Sequence, residues 1–315
     1  MLLHQRIAGV IAREGFSGLW PRVRRRLIQR VAIDETNAKR QIVEDYHRSI
    51  RIFQEKIRNI DVVGLNRFYW YHTIDLGDGL VTPGEYDHRP FLNHFDFPAD
   101  MSNMTVLDVG SATGFFAFEF EKRGAKVTSI ELPSLADWDM PSGHDSEQTL
   151  SELTQYHRAK NFEETYYLHL DGPFRFCHER MRSKVARHYS TIYNLASGEL
   201  KNQKFDLVFL GDILLHLFSP LHALNVVTQL CRHHLIIFQV LSGGDESQPL
   251  MLYAGGRSRQ GDSRTWWHPN RACLEQMLQR LGFQNVYLGP RIDTAYRPNG
   301  YISAHSVIHA RRAIH

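Results

Sequence analysis

Apolar residues in the last two thirds of the chain form short continuous runs that alternate with stripes at helical spacing. Such runs are typical of buried parallel strands, and they fall at 105–109, 126–130, 190–195, 205–210, 234–241, 283–288 and 303–311. The stripes between them predict helices over 220–232 and from Pro269 to Gly282. This alternation predicts an open α/β sheet with helices on both faces.

The first part of the chain has helical periodicity only. One stripe at helical spacing consists of Ile42, Tyr46, Ile50, Phe53, Ile57 and Ile60. We therefore divide the chain into a helical N-terminal arm over 1–63 and a sheet domain over 64–315. Such an arm can dock on the sheet domain or form a homodimer contact.

Two stretches interrupt the regular pattern. Residues 64–100 are aromatic and rich in glycine, as lids and pocket walls often are. About sixty residues separate the second and third predicted strands, several times a usual connection. Within this insertion, at about 134–189, we predict helices over 147–159 and 173–187 and expect the insertion to cover a ligand crevice.

Composition places the chain among ordinary globular proteins, with 43% hydrophobic and 23% charged residues. The three cysteines have no metal-site spacing, no apolar run is long enough to cross a membrane, and no signal peptide opens the chain. These features predict a cytoplasmic protein. Residues 1–60 hold 13 Lys and Arg against 6 Asp and Glu, a net of +7. Such an arm suits the phosphates of nucleic acid or of a lipid surface, or is the solvated face of a docked helix. Its arginines include Arg22, Arg24, Arg25, Arg26 and Arg30.

The strongest local motif is TVLDVGSATGFFAFEFEKRG, residues 105–124. It predicts a buried strand ending at Asp108, a tight turn that begins at Gly110, and a helix. The next strand ends in Glu131, whose carboxylate can accept hydrogen bonds from both hydroxyls of a ribose.

Two classes of nucleoside ligand suit such a site. A dinucleotide fold needs a G-x-G-x-x-G turn, and here Ala112 and Phe115 take the second and third glycine positions. Asp108 would also repel a phosphate, whereas it suits a cationic amino acid group. S-adenosylmethionine carries that cation and a ribose but no phosphate, so the local chemistry favours it.

These motifs resemble those of class I S-adenosylmethionine-dependent methyltransferases. Residues 105–131 are similar to the first two motifs of that superfamily, and residues 204–224, KFDLVFLGDILLHLFSPLHAL, to its fourth-strand motif. The segments 70–84 and 251–283 resemble the family that modifies the tRNA wobble uridine with carboxy-S-adenosylmethionine, and its uncharacterised relatives. The resemblance implies a Rossmann-like, seven-stranded, mostly parallel sheet whose last strand, near 303–311, is antiparallel.

The resemblance also implies roles for particular residues. S-adenosylmethionine would be the cofactor and S-adenosylhomocysteine the product. Glu131 would hold the ribose, Asn194 would read the adenine, and Gly211 and Asp212 would lie beneath the sulfonium. The remaining cofactor-binding residues would be Asp108, Gly110, Ser111, Gly114, Leu132, Leu195 and Trp70.

Three departures from the wobble-uridine family bear on the donor. Its carboxylate-holding tyrosine is replaced by Leu215. Its lysine falls at His72 or Thr73, and its arginine at Ala304 or His305. Because a buried carboxylate without partners is costly, ordinary S-adenosylmethionine is the expected donor.

Methyl transfer is a displacement at the sulfonium carbon, for which alignment and exclusion of water matter most. A base is needed when the acceptor is a hydroxyl or a poor amine nucleophile. We expect His216, at the end of the fourth predicted strand, to be the first candidate and His72 the second; each can instead be structural.

The acceptor is expected to be a small molecule in a lidded crevice. The basic arm, together with Arg180, Arg182, Lys184 and Arg187, leaves an RNA-modifying enzyme as an alternative. A non-catalytic nucleoside-binding module is a further alternative. No sequence pattern indicates a metal.

Overall fold

The computed structural model describes residues 36–198, 200–255 and 264–313. Seven strands form one sheet in the order β3-β2-β1-β4-β5-β9-β8. Their bounds are β1 Thr105–Val109, β2 Lys126–Glu131, β3 Ala186–Tyr189, β4 Phe205–Gly211, β5 Cys231–Val240, β8 Asn285–Tyr296 and β9 Tyr301–Arg311. A separate two-stranded sheet pairs β6 Met251–Tyr253 with β7 Trp267–Pro269.

The direction of the strands agrees with the expected architecture. β1 to β5 pair in parallel, whereas β9 is antiparallel to both of its neighbours, β5 and β8. This sheet confirms the predicted Rossmann-like fold, including the single antiparallel strand near the C-terminal end of the chain.

Helices cover both faces of the sheet. The helices are α1 36–56, α2 Phe115–Lys122, α3 His144–His157, α4 Phe162–Tyr166, α5 Gly172–Met181, α6 Pro220–Leu230 and α7 Arg271–Arg280. A π-helical turn, Tyr167–Asp171, joins α4 to α5. The insertion between β2 and β3 therefore contains three α-helices. α3 lies within a few residues of the predicted helix over 147–159, whereas the helix predicted over 173–187 ends at Met181, and Arg187 belongs to β3.

Successive side chains of the central strands enter two separate cores, because strand residues alternate between the faces of a sheet. One core contains Val106 and Leu207 with side chains from α1, α2 and α5. The other contains Leu107 and Val208 with side chains from α6 and α7. Both faces are thus apolar, which is why the central strands appear as continuous apolar runs in the sequence.

The described part of the N-terminal arm docks on this sheet domain. Phe53 and Ile57 are buried in the first core, and Ser49 Oγ accepts a hydrogen bond from Arg297 at 3.2 Å, near the turn between β8 and β9. The basic residues Arg22 to Arg30 lie outside the described residues.

The prediction of a strand over 190–195 is wrong. The third strand is Ala186–Tyr189, and Ile192–Asn194 is a 3-10 turn. β3 lies at the edge of the sheet and is only partly buried, so its sequence, ARHY, lacks an apolar run. The apolar Ile192 and Leu195 that suggested a strand pack instead into the second core.

Candidate functional site

The loop between β1 and α2 forms the floor of a crevice at the carboxyl ends of the central strands. Gly110, Ala112 and Gly114 all have left-handed backbone conformations, with φ of 73°, 47° and 92°. A Cβ on Gly110 would lie 2.7 Å from Ile213 Cδ1, so the site requires glycine there. The loop lies where β1 has β2 on one side and β4 on the other, the switch point at which open α/β sheets bind ligands.

Asp108 lies in β1 just before this loop, with 1% of its surface exposed. Its Oδ2 has no hydrogen-bond partner among the described residues. Burial, together with the charge of Glu131, raises the pKa of the Asp108 carboxyl to about 7, although the nearby Arg187 opposes the shift. A buried carboxylate oxygen without a partner is costly, and a cationic ligand group would provide the missing partner.

Glu131, at the end of β2, anchors the same loop. Its Oε2 accepts a hydrogen bond from Ala112 N at 2.8 Å and its Oε1 accepts one from Leu132 N at 3.0 Å. A carboxylate oxygen can accept more than one hydrogen bond, so Glu131 retains capacity for ligand hydroxyls.

Arg187 supports the loop from beneath. Its guanidinium stacks 4.0 Å from the centre of the Phe174 ring, and its Nη1 donates to Ser111 Oγ at 3.2 Å and to Ala112 O at 3.1 Å. Its side chain is 5% exposed and lies 3.9 Å from Glu131 Oε2. This buried cation offsets part of the negative charge of the two carboxylates.

The crevice above this loop is a cavity that we call the first cavity. Of the predicted site residues it is lined by His72, Asp108, Gly110, Glu131, Leu132, Gly211, Asp212 and His216. The insertion adds Trp138 and His169, and the chain after β3 adds residues 190–193. The insertion thus covers the crevice, as its length suggested.

Five predicted site residues do not line the first cavity. Ser111 Oγ is bonded to Ser129 Oγ at 2.5 Å beneath the loop, and Gly114 is the N-cap of α2. Trp70 is packed edge-on against Phe53 in the first core, Leu195 is buried in the second core, and Asn194 is exposed. These five residues therefore lie outside the lining of the first cavity, and their contact with a donor stays a prediction.

A second cavity adjoins the first. The two share five lining residues, namely Tyr69, Tyr71, Asp212, His216 and Arg264. We call these five the shared wall. The remaining lining of the second cavity includes Glu85, Tyr86, Tyr156, Leu215, His268, Tyr296 and His305.

Tyrosines bond to a partly buried carboxyl group in the second cavity. Glu85 accepts a hydrogen bond from Tyr69 Oη at 2.5 Å and a longer one from Tyr296 Oη at 3.4 Å. Burial raises the pKa of the Glu85 carboxyl to about 7, although both tyrosines counteract the shift. Sequence reasoning identified the aromatic segment as a pocket wall but missed Tyr69, Tyr71, Glu85 and Arg264 individually.

Asp212 and His305 form an ion pair at the shared wall. His305 Nε2 lies 2.8 Å from Asp212 Oδ2, and the nearby Asp212 charge raises the pKa of the buried His305 despite desolvation. His305 Nδ1 lies 2.9 Å from Thr294 Oγ1 and 3.3 Å from Ser303 O. The imidazole is therefore fixed from both sides.

The two candidate base histidines differ in their surroundings. His216 Nδ1 lies 3.0 Å from Arg264 O. Because a carbonyl only accepts, Nδ1 carries the proton and the neutral ring has its lone pair on Nε2. His72 is buried among aromatic rings with Nδ1 3.2 Å from Thr113 Oγ1, and burial lowers its pKa well below the usual value.

In the described part of the chain no group of three or more His, Cys, Asp or Glu residues could hold a metal ion. Cys177, Cys231 and Cys273 are free and buried. Over the same described ranges, no helix combines the length and apolarity needed to cross a membrane.

Comparison with known proteins identifies a family. A family model described as a methyltransferase domain matches residues 87–288, whereas no curated protein matches the chain. Among solved structures, the chain is similar to the N-terminal domain of EvdMO1 with S-adenosylhomocysteine bound, at 14% identity over 84% of this chain and 97% of that chain, with a TM-score of 0.49.

Two further solved structures show lower structural similarity. Magnesium protoporphyrin IX methyltransferase from Synechocystis PCC 6803, with bound SAM, is 14% identical over 68% of this chain and 72% of that chain, with a TM-score of 0.40. The 1,6-didemethyltoxoflavin-N1-methyltransferase of Burkholderia thailandensis is 18% identical over 68% and 72%, with a TM-score of 0.38.

Proposed function

The chain belongs to the methyltransferase domain family, and on that premise we propose that its first cavity binds S-adenosylmethionine and its second cavity a small-molecule acceptor. The methyl group would cross between them at the shared wall. The observation that carries the proposal is the unpartnered, buried Oδ2 of Asp108 in the first cavity.

Asp108 suits the amino acid end of the donor. A cationic amino group would supply the missing hydrogen-bond partner and would stabilise the ionised carboxylate. Gly110, which lacks a side chain, leaves the loop backbone open to a ligand at the same place. A phosphate would meet two carboxylates here, so the lining disfavours dinucleotides.

Glu131 suits the ribose. Two backbone N–H groups already hold its carboxylate in place. The side chain therefore loses little conformational entropy when ribose hydroxyls bind. Leu132 and residues 190–193 then provide the wall for the adenine. The predicted adenine contact of Asn194 is replaced in this proposal by its neighbours at 190–193.

When bound, S-adenosylmethionine supplies an electrophilic methyl group. The residues of this chain would align the acceptor and exclude water. His216, with the Nε2 lone pair and a position on the shared wall, is the better placed of the two predicted bases. His72 fits a structural role, since its ring is buried and within hydrogen-bond distance of Thr113, and burial, which lowers its pKa, makes it a weaker base.

The structure also bears on the RNA alternative. Of the basic residues that supported it, Arg187 is buried against Phe174, and Arg180 is paired with Asp78 at 3.2 Å. Burial removes Arg187 from an open phosphate-binding face, whereas Arg180 stays at the surface, 40% exposed in its side chain. The second cavity, by contrast, has the concave aromatic lining of small-molecule sites.

Ordinary S-adenosylmethionine remains the proposed donor rather than its carboxylated form. Leu215 is buried and apolar, and the imidazole of His305 is already paired with Asp212. At these two positions the additional carboxylate would thus find neither the tyrosine nor the arginine that the wobble-uridine resemblance implies.

Calorimetric titration with S-adenosylmethionine, S-adenosylhomocysteine and the carboxylated donor tests this proposal. We expect the first two to bind and Glu131→Ala to weaken binding by about 100-fold, because two hydrogen bonds to a charged group are lost. Glu121→Gln is the matched control, since Glu121 likewise accepts a backbone N–H bond, from Lys184, away from the cavity.

Three other outcomes would contradict parts of the proposal. Equal binding to wild type and Glu131→Ala would remove the ribose assignment. Preference for the carboxylated donor would restore the tRNA-modifying alternative. If none of the three compounds bound, the fold would serve another purpose.

A further inference from the structure

Asp212 has features that binding a donor does not require. It follows β4 and has a left-handed backbone conformation, with φ of 48°. Its side chain keeps 20% of its surface exposed and lines both cavities. Its Oδ1 has no hydrogen-bond partner among the described residues.

His305 holds this carboxylate from the side of the sheet. The imidazole lies on β9, 5% exposed in its side chain, and stacks on Phe238 with ring centres 4.6 Å apart. Because Thr294 and Ser303 fix the other ring nitrogen, Nε2 remains directed at Asp212 Oδ2. One oxygen of the carboxylate thus faces a fixed imidazole nitrogen, whereas the other lacks a donor among the described residues.

We infer that Asp212 is a catalytic residue that receives the hydrogen of the acceptor's nucleophile, and that His305 is the positioning residue that orients its carboxylate. The inference rests on the proposed function. It makes the acceptor a compound whose methylated atom carries hydrogen, an O–H or N–H group, and argues against a thioether.

The geometry favours Asp212 for this role for two reasons. It stands on the shared wall, where the methyl group must cross, and its unpartnered oxygen can be satisfied by a single donor. The left-handed backbone, which Asp tolerates, sets the direction of the side chain at the strand end. His216 lies on the same wall and can bind the acceptor alongside.

The step balances without a further reagent. As the acceptor's oxygen or nitrogen forms its bond to the methyl carbon, the carbon–sulfur bond breaks and its electron pair remains on sulfur. The hydrogen of the nucleophile passes to the Asp212 carboxylate and later to water. The products are the methylated acceptor, S-adenosylhomocysteine and one proton.

Two probes that differ in one hydrogen-bond donor test the inference. Phenol and anisole are titrated by calorimetry into protein saturated with S-adenosylhomocysteine. We expect phenol to bind wild type at least about tenfold more tightly than anisole, since a hydrogen bond to a charged group is worth this much. Asp212→Asn, which tolerates the left-handed conformation, should reduce the preference to about threefold or less.

The His305 variants separate positioning from packing. His305→Gln can still donate to Asp212 and should keep the preference, whereas His305→Phe should lose it, and adding Asp212→Asn to His305→Phe should change nothing further. His309→Gln is the matched control, because His309 is also a buried histidine of β9, bonded to His234 at 3.1 Å. It should retain the preference.

The possible failures are distinguishable. If S-adenosylhomocysteine does not bind, the proposed function fails and this inference with it. If S-adenosylhomocysteine binds but wild type does not distinguish phenol from anisole, or if Asp212→Asn keeps the preference, only the role of Asp212 is overturned. If His305→Gln loses the preference as fully as His305→Phe, the positioning role of His305 is overturned.

Discussion

The two adjoining cavities are built in different ways. The first lies at the ends of β1, β2 and β4, and its key residues, Asp108, Gly110 and Glu131, follow directly from strand and loop positions. The second is assembled from segments far apart in the chain, around residues 69–86, 149–156, 264–268 and 296–305. The fold itself therefore specifies the proposed donor side, whereas the proposed acceptor side depends on how remote segments meet.

The largest expected effect is a loss of stability in the segment that forms a wall of the second cavity. A Cβ at Gly84 would lie 2.0 Å from the backbone of His72 and Thr73, so Gly84→Ala must displace the segment that carries Tyr71 and Glu85. We expect a loss of about 3 kcal/mol in the free energy of unfolding, measured with urea. Gly243→Ala, where nothing lies within 4 Å, is the control and should stay within about 0.5 kcal/mol. Equal unfolding free energies for the two variants would show that this segment can move away from the added Cβ at little cost.

The next effect falls on the donor side. Gly110→Ala introduces a Cβ close to Ile213 and places a non-glycine residue at a φ of 73°. We expect about 2 kcal/mol of strain and, because the loop shifts, a drop of about tenfold in affinity for S-adenosylhomocysteine by calorimetry. Unchanged affinity would mean that the loop is not part of the donor site.

A pH titration compares the carboxyl groups of the two cavities. Burial raises the pKa of both Asp108 and Glu85 to about 7. The folded state thus binds more protons than the unfolded state between about pH 4 and pH 7, so the free energy of unfolding should fall as the pH rises through this range. Asp108→Asn and Glu85→Gln should each flatten the dependence.

Of the two carboxyl groups, only that of Asp108 should make ligand affinity depend on pH. Affinity for S-adenosylhomocysteine should rise about tenfold from about pH 6 to about pH 8 as the Asp108 carboxyl ionises. This rise should persist in Glu85→Gln and vanish in Asp108→Asn. A rise that survives in Asp108→Asn would remove Asp108 from amino group recognition.

The smallest expected effect concerns the tyrosines of the second cavity. Tyr69→Phe removes the 2.5 Å hydrogen bond to Glu85 and should cost about 1 kcal/mol in unfolding free energy at about pH 8, where Glu85 is ionised. Tyr296→Phe removes only a 3.4 Å contact and should cost less. If the order were reversed, Tyr296 rather than Tyr69 would be the main partner of Glu85.

The difference between the two cavities also explains which features could be predicted from the sequence. The central strands are buried on both faces, so their apolar runs identified them, and the small-residue turn after Asp108 located the first cavity. The edge strand β3 lacks that signal and was misplaced by several residues. The enzyme class that the motifs implied, an S-adenosylmethionine-dependent methyltransferase, is confirmed by membership of the methyltransferase domain family.

Other features could not be derived from local patterns. The Asp212–His305 pair joins the end of β4 to a strand more than ninety residues later. The surroundings of Glu85 include Tyr296 of β8 and a backbone hydrogen bond that Arg297 N donates to Glu85 O at 2.9 Å. These contacts arise only from tertiary packing. The homodimer, the RNA interaction, the cytoplasmic location and the boundary at residue 63 stay predictions.

A crystal structure with S-adenosylhomocysteine bound would test the central claim most directly, namely that the donor occupies the first cavity and directs its reactive end at the shared wall. We expect its amino group at Asp108, its ribose at Glu131 and its sulfur facing Asp212 and His216. A ligand whose sulfur points away from the shared wall, or that lies in the second cavity, would contradict the account.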